Sequence, residues 1–183
     1  MRCFLGTELE DSLVPRISDV INSFTELDID MKPVRDENLH LTVKFLGDIS
    51  EERLKKVDAV EEVTDEIEPF EIELGGIGVF PSRDYIKVIW IGAGKGGKRF
   101  KELMRKVELK LSDKGFEKDK NDPVPHITIG RIKSGRNKES IKSKLDELNG
   151  EIFGTMPVDE ISLFKSELTP EGPVYEKIKD YRL

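Results

Sequence analysis

The chain reads as an α+β protein of two lobes built by duplication, each lobe a small antiparallel-containing sheet with two helices, and a central cleft between the lobes. Strand-type and helix-type apolar periodicities follow one another in the order strand, helix, strand, helix, strand, and this order occurs twice, over approximate repeats 1–82 and 83–183. Helices confined to one face of each sheet leave the other faces free to enclose the cleft. At 183 residues, one bilobal domain is long enough to bury a core.

The first series opens with a strand over Arg2–Gly6. Leu13, Ile17, Val20, Ile21 and Phe24 then recur at helical spacing, after Asp11 or Ser12 as the cap and with Pro15 tolerated in the first turn. A strand over His40–Leu46 follows. Ser50 then caps a helix with Glu51 and Glu52 at its positive end and an apolar face of Leu54, Val57, Val60 and Val63. A strand over Phe70–Phe80 closes the series. The second series has a strand over Tyr85–Ile91, a helix carrying Phe100, Leu103, Met104, Val107 and Leu111, and a strand over Pro125–Lys133. A helix with Ile141, Leu145 and Leu148 ends at Asn149-Gly150, and strands around Val158–Phe164 and near Tyr175 complete it. GAGKGGK (92–98) and SGRNK (134–138) are expected as surface loops.

Composition narrows the function. No run approaches a membrane-spanning length, and the first ten residues lack a signal peptide's apolar stretch, so a soluble cytoplasmic protein, a monomer with no membrane partner, is expected. The single Cys3 forms no internal disulfide, and with two histidines it excludes a Cys/His zinc cage. Glutamine is absent and asparagine occurs five times; with abundant Lys and Glu this leans towards a thermophilic source. The net charge of −7 argues at first against a polyanionic partner. Residues 1–93, however, carry 10 Lys+Arg against 21 Asp+Glu, whereas residues 95–144 carry 16 against 7. The acidity belongs to the first half, and a basic region able to meet nucleic acid lies in the second.

His40 and His126 are the only histidines, and they occupy equivalent places in the two series, in HLTVKFLG at 40–47 and HITIGRIK at 126–133. Strand alternation points His40 and Thr42 one way and Leu41 and Val43 the other; the same holds for His126 and Thr128 against Ile127 and Ile129. Each strand thus packs one face on a core and displays an imidazole and a hydroxyl on the other. A pseudo-twofold axis would set the two His-Thr pairs face to face across the cleft. An imidazole with a pKa near 6.5 serves as base when neutral and as acid when protonated, so a pair suits in-line displacement at phosphorus. The threonine hydroxyls would donate to the non-bridging oxygens. No Asp or Glu lies within either tetrapeptide to complete a metal site, and no metal or cofactor is expected.

At these residues the sequence resembles the 2H phosphoesterases, named for two His-x-Thr-x motifs, and within them the RNA 2′,3′-cyclic phosphodiesterases, also called 2′,5′ RNA ligase-like proteins. The resemblance runs over nearly the whole chain: Arg2-Cys3-Phe4, Asn38 to Gly47, Pro125 to Arg131, and Leu163 to Ser166 with Gly172 and Tyr175. It implies an active site in the central cleft, with His40 as proton donor, His126 as proton acceptor, and Thr42 and Thr128 on phosphate. Arg131 resembles a substrate-contacting position, with Lys133 and Phe45 as further substrate-binding candidates. Strict alternation puts Arg131 on the face opposite His126, so its participation needs a bulge or a chain end, for which Gly130 gives freedom. The implied substrate is RNA ending in a 2′,3′-cyclic phosphate, tRNA fragments included, opened to a 2′-phosphate, with nucleotide binding in the same cleft. Two alternatives stay open: 2′,5′ ligation by the same site in reverse, and a non-catalytic module that binds RNA ends or nucleotides.

Residues 92–98 also satisfy G-x-x-x-x-G-K, but Arg99 stands where a phosphate loop needs Ser or Thr. A basic turn or solvated loop is expected instead. Trp90 and most of the nine Phe are expected in the core.

Overall fold

The computed structural model describes residues 1–183. The first series forms β1 (Arg2–Glu8), α1 (Val14–Thr25), β2 (Met31–Pro33), β3 (His40–Asp48), α2 (Glu51–Val57), α3 (Glu61–Thr64) and β4 (Phe70–Pro81). The second forms β5 (Ile86–Ala93), α4 (Gly97–Asp113), β6 (His126–Ile132), α5 (Lys138–Glu147), β7 (Ile152–Val158), β8 (Glu160–Thr169) and β9 (Gly172–Arg182). Ser50 caps α2 as expected, its Oγ accepting from the Arg53 N–H at 3.3 Å. Neither Asp11 nor Ser12 caps α1. A turn from Glu10 places Leu13 at that position, with Pro15 in the first turn.

All strands join one sheet in the order β7-β4-β5-β6-β3-β1-β8-β9, with β2 beside β6. The cleft therefore does not lie between two separate sheets. A half of five strands, β7, β4, β5, β6 and β2, and a half of four, β3, β1, β8 and β9, meet at the single antiparallel pair Leu41↔Ile127 of β3 and β6. Nor do the halves follow the two series. β4, from the first, pairs with β5 of the second, to which only four residues connect it; β8, from the second, pairs with β1 of the first. The first series lends β2 and β4 to the half built on β6, and the second lends β8 and β9 to the half built on β1 and β3, so neither half is complete without the other.

Two strands have no counterpart in the sequence reading. β2 is three residues long and ends in Pro33, and β7 contains Pro157 and Gly154, the latter at φ +152°. Both residue types weaken a strand signal, and β7 tolerates them at the sheet edge.

One face of the sheet carries the core. Leu41 and Val43 of β3, Ile89 and Ile91 of β5, and Ile127 and Ile129 of β6 pack with Ile17, Ile21 and Phe24 of α1 and Phe100, Leu103 and Val107 of α4. α1 lies under β2 and β6, and α4 under β3 and β4. The GAGKGGK turn that opens α4 is anchored on β4, where the Gly94 N–H donates to the Glu73 carbonyl and the Glu73 N–H to that of Lys95, each at 2.8 Å. Gly96 sits at φ +84°, and a Cβ there would stand 2.1 Å from the Glu71 carbonyl oxygen. Close approach to a strand, rather than to a phosphate, requires this glycine.

Lys44 is buried in the same face. Its ammonium donates to Glu108 Oε2 at 2.6 Å and to the Glu117 carbonyl at 3.0 Å, with Asp119 Oδ2 at 3.6 Å. It thereby ties β3 to the segment leading into β6. Lys44→Ala is expected to cost about 2 kcal/mol in denaturant unfolding. That is below the usual cost of breaking a buried pair because Glu108 and Asp119 retain contact with water. An unchanged midpoint would refute this role.

Candidate active site

The free face of the sheet is built around the junction of β3 and β6. Antiparallel pairing at Leu41↔Ile127 turns both apolar side chains into the core and sets His40 across from Thr128 and Thr42 across from His126. The two histidines thus lie on one diagonal of a four-residue patch and the two threonines on the other. They stand side by side on neighbouring strands, in place of the face-to-face arrangement anticipated across two sheets.

Each imidazole is held in the same way. His40 Nδ1 lies 2.7 Å from the Asn38 carbonyl oxygen, and His126 Nδ1 lies 2.6 Å from that of Val124, two residues back in both cases. A carbonyl only accepts, so Nδ1 carries a proton in both rings, and Nε2 is left as lone pair or acid proton. Each ring is also boxed by two aromatics. Phe4 and Tyr175 stand 4.7 and 5.3 Å from His40, and Phe80 and Trp90 stand 5.1 and 5.9 Å from His126, between ring centroids. Burial in this setting pushes both histidine pKa values below the ordinary 6.5. The carbonyl contacts oppose the shift, while His126 adds to it at His40 and Arg131 adds to it at His126.

Trp90 therefore lies on the histidine face rather than in the core, as do Phe80 and Tyr175, while Phe4 is buried against His40. The indole lies across Gly78, where any Cβ would fall 2.2 Å from its ring. Sequence alone missed this role because β5 is apolar on both faces. The usable signal is Trp90 in register with Thr128, and Gly92 with His126.

The two motif strands also share a bulge. The register of β3 with β1 shifts between Leu5↔Lys44 and Gly6↔Thr42, and that of β6 with β5 shifts between Ile89↔Gly130 and Trp90↔Thr128. From His40 to Phe45 and from His126 to Arg131, burial runs identically: half-buried, buried, half-buried, buried, buried, exposed. Two consecutive residues face the core, so Phe45 and Arg131 emerge on the histidine face. Phe45 is 58% exposed, with its ring 6.1 Å from Phe4. Arg131 acts electrostatically on both His126 and Tyr175. Lys133 follows the last residue of β6; its backbone N–H donates to the Asp30 carbonyl at 2.9 Å and its side chain is exposed.

The sequence pattern of the LigT-like phosphoesterases matches residues 10–90 and again residues 91–175. The chain belongs to this family, the 2H phosphoesterases. It is accordingly an enzyme of phosphodiester hydrolysis, and the doubled match agrees with a duplicated fold. Two similar proteins are each named RNA 2′,3′-cyclic phosphodiesterase. That of Methanothermobacter thermautotrophicus is 38% identical, over 100% of this chain and 99% of its own. That of Methanocaldococcus jannaschii is 40% identical, over 99% and 100%. A Thermus thermophilus crystal structure superposes with a TM-score of 0.83 at 26% identity, covering 100% of this chain and 98% of its own. Escherichia coli LigT complexed with 3′-AMP shares the fold at TM-score 0.77 and 20% identity, over 100% and 97%. The Methanothermobacter, Methanocaldococcus and Thermus sources fit the thermophilic lean of the composition. No helix is long and apolar enough to cross a membrane.

Proposed function

We propose that this phosphoesterase opens terminal 2′,3′-cyclic phosphates of RNA to 2′-phosphates by metal-independent catalysis from two histidines. The observation that carries the reading is the pair of imidazoles on adjoining strands, each with Nδ1 on a carbonyl and Nε2 left for chemistry. His126 Nε2 takes a proton from water as its oxygen bonds to phosphorus. The bond from phosphorus to the 3′ oxygen breaks in line, and His40 Nε2 gives its proton to that oxygen. One water is consumed and the two histidines end with exchanged protonation states, which solvent resets. Thr42 and Thr128 donate to the non-bridging oxygens and Arg131 offsets the charge that grows on them. Phe45 offers its exposed ring to the terminal base, and Lys133 continues the cationic line from Arg131.

The test is an oligoribonucleotide ending in a 2′,3′-cyclic phosphate, incubated with excess chelator and followed by phosphorus NMR. A 2′-phosphomonoester is expected. An intact cyclic end, a 3′-phosphate, or product only with added divalent metal would overturn the reading.

The pH profile tests the pairing of acid with base. The active form holds one imidazolium and one neutral imidazole, so kcat/KM peaks between the two free-enzyme pKa values. Both are lowered, hence the maximum is expected on the acid side of about 6.5. Rate falls at higher pH as the acid loses its proton and at lower pH as the base gains one. A plateau extending through pH 8 would contradict this.

A further inference from the structure

Arg131 has a neighbour that the catalytic scheme leaves unused. Lys32 of β2 is its direct cross-strand partner on β6. Directly opposed residues of an antiparallel pair share a face, so Lys32 emerges on the cleft side with Arg131. Its Nζ lies 3.8 Å from where a Cβ on Gly172 would stand, at the turn between β8 and β9, three residues from the Tyr175 that edges His40. That rim is fixed in place, since Asn38 Nδ2 donates to the Pro173 carbonyl at 2.9 Å and Arg35 donates to that of Glu171 at 3.2 Å.

Like charges directly opposed across a strand pair destabilise a sheet unless an anion lies between them. Lys32 and Arg131 form no ion pair, whereas nearby Arg35 and Arg136 pair with Glu37 and Asp28. The contrast matters in a chain with seven more acidic than basic side chains, where a carboxylate partner is the easy solution. With Arg131 serving the reacting phosphate, Lys32 is the cation left without an anion, and it marks a place for a second phosphate.

We propose that Lys32 binds the backbone phosphodiester next to the reacting terminal phosphate of an RNA substrate, beside the Arg131 that serves the reacting phosphate itself. This rests on the RNA-end reading above and names how the enzyme distinguishes a chain from a mononucleotide. The subsite requires a ligand with at least one internucleotide phosphate. It also marks which flank of the catalytic patch the chain leaves by, past β2 and the β8–β9 turn.

The experiment compares two product ligands that need no turnover: an RNA pentamer ending in a 2′-phosphate, and the matching nucleoside 2′-phosphate, both by calorimetric titration. Lys32→Glu is expected to weaken the pentamer about tenfold more than the mononucleotide, the size of one charge-assisted contact. Lys32→Arg should keep the pentamer's preference to within about twofold, because a guanidinium also binds phosphate. In Lys32→Ala, the slope of log affinity against log salt for the pentamer should shrink by about 0.7, the value for one single-strand phosphate contact. Equal weakening of both ligands, no weakening of either, or a wild-type enzyme that binds the pentamer no tighter than the mononucleotide would overturn the subsite. A wild-type enzyme that leaves cyclic ends intact would instead remove the proposed activity, while the binding comparison still decides the role of Lys32.

Discussion

Replacing His126 by alanine is expected to lower kcat for cyclic-phosphate opening by about 10³-fold, with a loss of the same order for His40→Ala, the usual worth of a positioned acid or base. KM should change much less, since neither ring is needed to hold the ground-state phosphate once the threonines and Arg131 are present. The double variant is expected within about tenfold of the worse single one, because groups that act as one unit do not contribute additively. The two roles separate with an activated aryl phosphodiester, whose leaving group departs without a proton. Such a substrate should recover most of the loss in His40→Ala and little of it in His126→Ala. Recovery in the opposite variant would exchange the assignments that the pseudo-symmetry of the site makes interchangeable by geometry alone. Full activity in either single variant would dismiss the mechanism. Burial of both rings among aromatics also bears on the choice of conservative variants. A glutamine keeps a donor towards the Asn38 or Val124 carbonyl but has no titrating atom, so it should preserve the fold and still lose the rate.

The four motif residues were legible because their signal is local. A tetrapeptide with period-two alternation fixes which side chains share a face, and its recurrence in the second half ties the two together. What escaped was whatever depends on partners far along the chain. Nothing local marks Lys44 for burial, since its counter-charges Glu108 and Asp119 lie 64 and 75 residues away and draw it into the core. Trp90 reads as core because Ile89 and Ile91 beside it are; only the register of β5 against β6 sends it to the histidine face. The order of the strands escaped for a related reason. Periodicity reports where a strand runs but not which strand it joins, so the exchange of β4 and β8 between the halves leaves no mark on either segment. The bulge lies between these cases: the need for one follows from Arg131 by counting, and Gly130 permits it, but its place is set by pairing with β5.

Arg131→Ala is the second large effect expected, a loss of about 10² in kcat/KM, the scale on which single donors to developing phosphoryl charge act. The bulge gives this residue its reach. Counted as an unbroken strand, position 131 faces the helices with Ile127 and Ile129; with Ile129 and Gly130 both turned inward it stands with His126 and Thr128. Gly130 suits the inward place because a Cβ there would meet the Met31 side chain at 2.2 Å. The matching place in β3 is held by Lys44, which finds carboxylates on α4 and the following segment instead. The substitution should also leave a mark on the pH profile. Arg131 holds the His126 pKa down, so its removal lets that value rise towards 6.5, and the acid limb of kcat/KM moves to higher pH. Arg131→Lys keeps a cation in place and should keep most of that limb's position. It should recover only part of the rate, because an ammonium cannot span two phosphoryl oxygens as a guanidinium does. If Arg131 were merely a solvated side chain, neither the rate nor the limb would move, and measuring both in one pair of variants separates the two cases.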